Sequence, residues 1–328
     1  MKIMFYYLRP FDELPYCQRM SEEYGIDFAH TYEYPSKDNV ILAQGCDAVS
    51  TTPCDMGADM LERFAALGVK YLCCRSVGYD HIDLKKAKEL GMRVSNASYP
   101  PAGVANYAVM LMLMALRKIM PIMKRAEVQD YSLEGKIGRD ISGCTVGIIG
   151  TGTIGTAAIK SLSGFGCRIL AYDLYPNDTA GQYASYVPLE ELLAQSDIIS
   201  LHTNVTSSSS HLLNDRTLSL CKDGVIIVNT ARGKLIDTQA LIRSLNAGKV
   251  GAAALDVLEH ENGLYYYNRM GDVIQNDEMA ILRSCPNVIL SPHTAFYTDD
   301  AIEHMVRSAF ESADAFGKGV PTEHEISL

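Results

Sequence analysis

The chain has 328 residues, 48% of them apolar, which suffices for about two domains with conventional buried cores and excludes a disordered or fibrous protein. Lys and Arg total 29 against 39 Asp and Glu, and the net charge of −10 repels phosphate backbones and anionic lipid. Nucleic acid and membrane are therefore not expected partners, whereas a small anionic substrate needs only one well-placed cation.

In chain order, the opening MKIMFYYLRP meets Arg9 and Pro10 before a signal-peptide core can develop. Residues 2–6, 47–51 and 71–74 read as strands, with helices at 57–67 and 84–90, which makes one small α/β unit. The segment 95–103, SNASYPPAG, interrupts the pattern and marks a domain crossing. A nearly charge-free, Met-rich helix is expected over 104–120, as core or as a contact between subunits.

A denser alternation follows, with strands expected at 145–150, 168–172, 197–201, 225–229, 252–257 and 288–290. Helices are expected between them at 154–163, 189–195, 215–221 and 238–246. Residues 259–277 read as a loop near a functional edge, and a last amphipathic helix runs from 298 to about 316. The nine cysteines, from Cys17 to Cys285, show no paired CxxC spacing for zinc, so no metal is expected. They read as ordinary thiols of a reducing, cytoplasmic compartment.

Gly150-Thr-Gly152-Thr-Ile-Gly155 is a GxGxxG with an apolar strand before it and a helix after it. In that setting the first Gly permits the tight turn, the second lets backbone approach a pyrophosphate, and the third lets helix and strand pack closely. Asp173 ends the next strand 18 residues beyond Gly155, close to the spacing of about 20 expected for the acid that binds the adenine ribose hydroxyls. No Arg or Lys follows in residues 174–178 to receive a 2′-phosphate, so NAD is expected rather than NADP.

A nicotinamide enzyme that reduces a 2-keto acid needs a proton donor and a cation for the carboxylate. His293 follows the strand 288–290, at the edge where open α/β sheets bind ligands. Arg232 follows the strand 225–229 and brings a fork suited to a carboxylate. Glu261, beyond Asp256-Val257, is a carboxylate that could orient the imidazole and favour its charged form. Each alone reads as a structural or surface residue. Three at the ends of three strands of one nucleotide-binding sheet read as a site.

The motifs RSVGYDHID (75–83), VGIIGTGTIG (146–155), NTARG (229–233), AALDVLEHE (253–261) and SPHTAFYT (291–298) together resemble the D-isomer-specific 2-hydroxyacid dehydrogenases, in their D-lactate dehydrogenase branch. The resemblance implies a Rossmann-type doubly wound domain, 101–298, inserted in a smaller flavodoxin-like α/β domain made of 1–100 and 299–328, with the active site in the cleft and a homodimer as the assembly. It implies that Arg232 binds the substrate carboxylate, His293 donates the proton and Glu261 pairs with His293.

By the same resemblance Val77 and Gly78 offer backbone N–H groups to the carboxylate, while Tyr99 and Phe296 line the site. Asp256 and the Thr230-Ala231 backbone lie by the nicotinamide. Thr153 and Ile154 contact pyrophosphate beside Gly150, Gly152 and Gly155, and Thr203, Asn204 and Ser209 lie along the cofactor. The family commonly has Val-Pro after His202, where this chain has Thr203-Asn204. Thr51 stands where some lactate-specific members have a bulky Tyr, which suggests room for 2-keto acids larger than pyruvate. The expected reaction is NADH-dependent reduction of pyruvate to D-lactate. The alternatives are a hydroxyisocaproate or phenyllactate type of dehydrogenase, a glycerate or phosphoglycerate dehydrogenase, and an NAD-sensing corepressor-like binding protein.

Overall fold

The structure, a computed structural model, describes residues 1–327 and divides into two compact units. One comprises Met1–Pro100 together with the chain from Tyr297 onward, and the other is Pro101–Phe296.

The first unit runs β1 (Lys2–Phe5), α1 (Leu14–Tyr24), β2 (Asp27–His30), β3 (Ala48–Thr51), α2 (Ala58–Ala66), β4 (Tyr71–Cys74), α3 (Leu84–Glu89) and β5 (Arg93–Ser95). Its five parallel strands take the order β2-β1-β3-β4-β5, a flavodoxin-like sheet. α1, β2 and β5 go beyond the elements read from sequence. The C-terminal helix, Asp299–Gly317, starts where Thr298 Oγ1 accepts the Ala301 N–H, and it packs on α1 and β4. Its buried Phe310 stacks on Phe5 with ring centroids 5.5 Å apart.

The second unit opens with α4 (Ala102–Leu116) and α5 (Ile119–Glu127) and continues β6 (Thr145–Ile149), α6 (Thr153–Ser163), β7 (Arg168–Tyr172), α7 (Asp178–Gly181) and β8 (Ser185–Tyr186). It then runs α8 (Leu189–Gln195), β9 (Ile198–Leu201), α9 (Asp215–Leu220), β10 (Val225–Asn229), α10 (Thr238–Asn246), β11 (Val250–Leu255), α11 (Asp277–Ser284) and β12 (Val288–Leu290). Seven parallel strands lie in the order β12-β11-β10-β9-β6-β7-β8, a Rossmann-type sheet whose winding reverses between β6 and β9. Strands such as VIIVN in β10 are buried on both faces, which is why their sequences are unbroken apolar runs.

The single helix expected over 104–120 is two. α4 stops at Leu116, Lys118 turns left-handed at φ 53°, and α5 leaves at 63° to α4. Pro121 explains the break, since its ring would strike the carbonyl four residues back in a continuous helix. α4 packs on α6, β10 and β11, so its methionines and leucines are mainly core of this unit. Among the described residues no single helix is long and apolar enough to cross a membrane.

Candidate active site

β6 leads into Gly150 at φ 95°, where a side chain would meet the His202 carbonyl carbon at 2.6 Å. A Cβ on Gly155 would lie 1.9 Å from the Gly150 oxygen, whereas at Gly152 nothing stands within 4 Å. Two of the glycines thus close the loop on itself, and the middle one leaves a bare face over the start of α6. Among the described residues no side chain caps that helix, so its first N–H groups, those of Thr153 and Ile154 among them, remain available to an anion. This fits a dinucleotide pyrophosphate.

Asp173 is tied to the same loop, because its carboxylate accepts the Thr151 N–H at 2.5 Å and the Thr151 hydroxyl at 3.1 Å. Its other oxygen accepts the Tyr175 N–H at 2.9 Å. After β9, Thr203 and Asn204 begin a loop that Ser209 shapes from within. The Ser209 hydroxyl donates to the Asn204 carbonyl at 2.7 Å and accepts the Thr206 N–H at 2.8 Å. Its one O–H is committed to the loop itself.

Arg232, Glu261 and His293 follow β10, β11 and β12, three neighbouring strands, at one edge of the sheet. Asn229 brackets the arginine turn, accepting the Ala231 N–H at 3.0 Å and donating its amide to the Arg232 carbonyl at 2.8 Å. Gly233 follows because a Cβ there would lie 2.1 Å from the Leu258 carbonyl carbon. Arg232 Nη1 donates to the Ala231 carbonyl at 2.8 Å. Thr230 is buried, and among the described residues its hydroxyl has no hydrogen-bond partner.

His293 has φ 53°, a left-handed conformation that costs a non-glycine residue about 1–2 kcal/mol and so needs support. Its N–H donates to the Asp256 carbonyl at 2.8 Å, and its own carbonyl accepts the Tyr266 hydroxyl at 3.1 Å. Its Nδ1 lies 2.6 Å from Glu261 Oε1, which leaves Nε2 as the nitrogen able to deliver a proton. Glu261 is steadied in turn by the Leu258 N–H on its other oxygen, at 2.8 Å. The rings of Tyr266 and Phe296 lie 5.8 and 6.3 Å from the imidazole.

Asp256, expected beside the nicotinamide, is completely buried. Its carboxylate accepts the Ser291 hydroxyl at 2.6 Å and the Thr294 and Ala295 N–H groups at 2.9 and 2.8 Å. It anchors the turn that carries His293.

Val77, Gly78 and Tyr99 belong to the first unit, where the first two form a half-buried turn after β4 and Tyr99 follows β5. Thr51 ends β3. It is fully buried, its hydroxyl donates to the Thr52 carbonyl at 2.9 Å, and Cys54 Sγ stands 3.3 Å away. Sequence reasoning missed Asn229 as a bracket and Tyr266 as a support. Their only signal lay in the NTARG motif and the run of tyrosines at 265–267.

The family model described as D-isomer specific 2-hydroxyacid dehydrogenase, NAD binding domain, matches residues 109–295. An aromatic 2-oxoacid reductase of Clostridium sporogenes is 39% identical over 96% of this chain and 96% of its own. The D-lactate dehydrogenase of Escherichia coli is 37% identical over 99% of this chain and 100% of its own. Among solved structures, a D-lactate dehydrogenase from Treponema pallidum superposes with a TM-score of 0.88 at 33% identity, covering 100% of both chains.

Proposed function

The chain belongs to the D-isomer-specific 2-hydroxyacid dehydrogenases, NAD-dependent oxidoreductases of D-2-hydroxy acids, and from that premise we propose that it interconverts pyruvate and D-lactate. The observation that carries the site assignment is the 2.6 Å contact between His293 Nδ1 and Glu261. A carboxylate there fixes the orientation of the ring, so that Nε2 is the nitrogen presented as general acid toward the keto oxygen. Arg232 is the cation for the carboxylate, with geometry suited to a bidentate pair. Taken by itself, the first unit offers the Val77–Gly78 turn as an anion acceptor. The open face at Gly152 with the start of α6 would hold the pyrophosphate of NADH, which when bound would supply the hydride.

A second reading, reduction of aromatic 2-oxo acids, draws on the Tyr266 and Phe296 rings beside the imidazole and on the likeness to the clostridial reductase. Steady-state rates with pyruvate, 2-ketoisocaproate and phenylpyruvate decide between them. A kcat/KM highest for pyruvate supports the first reading, and one at least tenfold higher for phenylpyruvate replaces it with the second.

A homodimer in the cytoplasm completes the proposal. Met123, Val128, Tyr131, Leu133 and Ile137 are exposed on the segment that follows α4, beside an apolar groove of about 680 Å³ lined by Met114, Met120, Ile226 and Ile289. A projecting apolar segment and an apolar groove on one unit suit reciprocal exchange across a two-fold axis. A monomeric mass in solution would overturn this. The nine cysteines are all free thiols, in keeping with a reducing compartment.

A further inference from the structure

We infer that Asn96 is a positioning residue for the substrate carboxylate, acting through the peptide between Val77 and Gly78. The inference rests on the reading of that turn as an anion acceptor and names the side chain that makes it one.

A trans peptide is planar, with its C=O and N–H on opposite sides, so holding the oxygen aims the hydrogen. The Ser76–Val77 peptide is held at its oxygen by the Ala97 N–H at 2.9 Å. The Val77–Gly78 peptide is held at its oxygen by the Asn96 side-chain amide at 2.7 Å. The Gly78 carbonyl in turn accepts the Ser76 hydroxyl at 2.6 Å. Every carbonyl of the turn is therefore occupied on one side. Among the described residues, neither the Val77 nor the Gly78 N–H meets an acceptor.

Half-buried backbone donors are seldom left unpaired, and two consecutive ones form a nest of the kind that receives an anion. Asn96 is itself fixed, since its N–H donates to the His324 carbonyl at 3.0 Å. Its amide thus stands in a set place and keeps the Gly78 N–H turned outward. Without it, that peptide is free to rotate and to pair its N–H elsewhere.

Oxamate, an isostere of pyruvate, is titrated into the enzyme–NADH complex and followed by NADH fluorescence, for wild type, Asn96→Ala, Asn96→Ser and Gly78→Pro. The two Asn96 replacements provide independent chances of a folded variant. Each should weaken oxamate binding and raise the pyruvate KM by roughly threefold to tenfold, the range for one lost hydrogen bond, with kcat within about twofold and NADH affinity unchanged. Gly78→Pro deletes the N–H itself and should weaken oxamate at least as much. Oxamate affinity lost in Gly78→Pro but retained in both Asn96 variants overturns the inference and leaves the anion turn standing. Affinity retained in Gly78→Pro overturns the anion turn. A fall in kcat equal to the rise in KM would assign Asn96 a different role.

Discussion

The two units solve the same architectural problem with opposite use of the strand ends. Both are parallel sheets whose winding reverses beside their first strand, at β6/β9 in one and β1/β3 in the other, and such reversals open a crevice at the carboxyl ends. In the second unit the crevice is kept bare by Gly152 and the uncapped start of α6. In the first it is filled. Arg75, with no solvent exposure, donates to Glu13 at 2.9 Å, to Ser50 Oγ at 3.1 Å and to the carbonyls of Tyr6 and Tyr7 at 3.0 and 3.1 Å. One guanidinium ties the ends of β1, β3 and β4 together, and the turn proposed to bind an anion lies in the residues just after it. Fold alone therefore does not place a ligand; the side chains at the reversal do.

The sharpest way to break this contrast is to remove the proposed proton donor of the second unit. His293→Gln should lower kcat by about 10²–10⁴ while NADH affinity stays within twofold, measured by steady-state kinetics and fluorescence titration. Next in size is the plug of the first unit. Arg75→Met leaves the buried Glu13 carboxylate only Arg9, whose N–H and guanidinium lie 3.0 and 3.5 Å away, and should cost about 3 kcal/mol, read by urea denaturation, whereas adding Glu13→Leu should restore most of it.

The glycine loop gives a smaller, paired effect. Gly155→Ala forces a methyl into the Gly150 carbonyl and should cost about 1–3 kcal/mol of stability along with NADH affinity. Gly152→Ala, with open space around it, should keep its melting temperature and lose NADH affinity alone. Smallest is Tyr266→Phe, which removes one partly exposed hydrogen bond to the His293 carbonyl and should lower kcat by roughly threefold.

The central strands were legible because they are buried on both faces and so form apolar runs. The elements that escaped lie mostly at sheet edges, where β2 is half exposed, β5 has three residues and β8 has two. An edge strand needs no continuous apolar run. α1 escaped because only Cys17 and Met20 of its residues are buried. At the site, Arg232, Glu261 and His293 were legible as residue types at strand ends. Their supports were not, because Asp256 reaches Thr294, Asn96 reaches Val77 and Glu13 reaches Arg75 across sequence separations of 38, 19 and 62 residues. Periodicity and spacing report local structure, and these bonds exist only once the sheets have formed.

The most direct test of the account is chiral analysis of the 2-hydroxy acid formed from pyruvate and NADH by the purified enzyme. The site described here predicts D-lactate alone, in amounts equal to the NADH consumed, and the same assay with His293→Gln should yield almost none. L-lactate, a racemate, or undiminished product from the variant would contradict it.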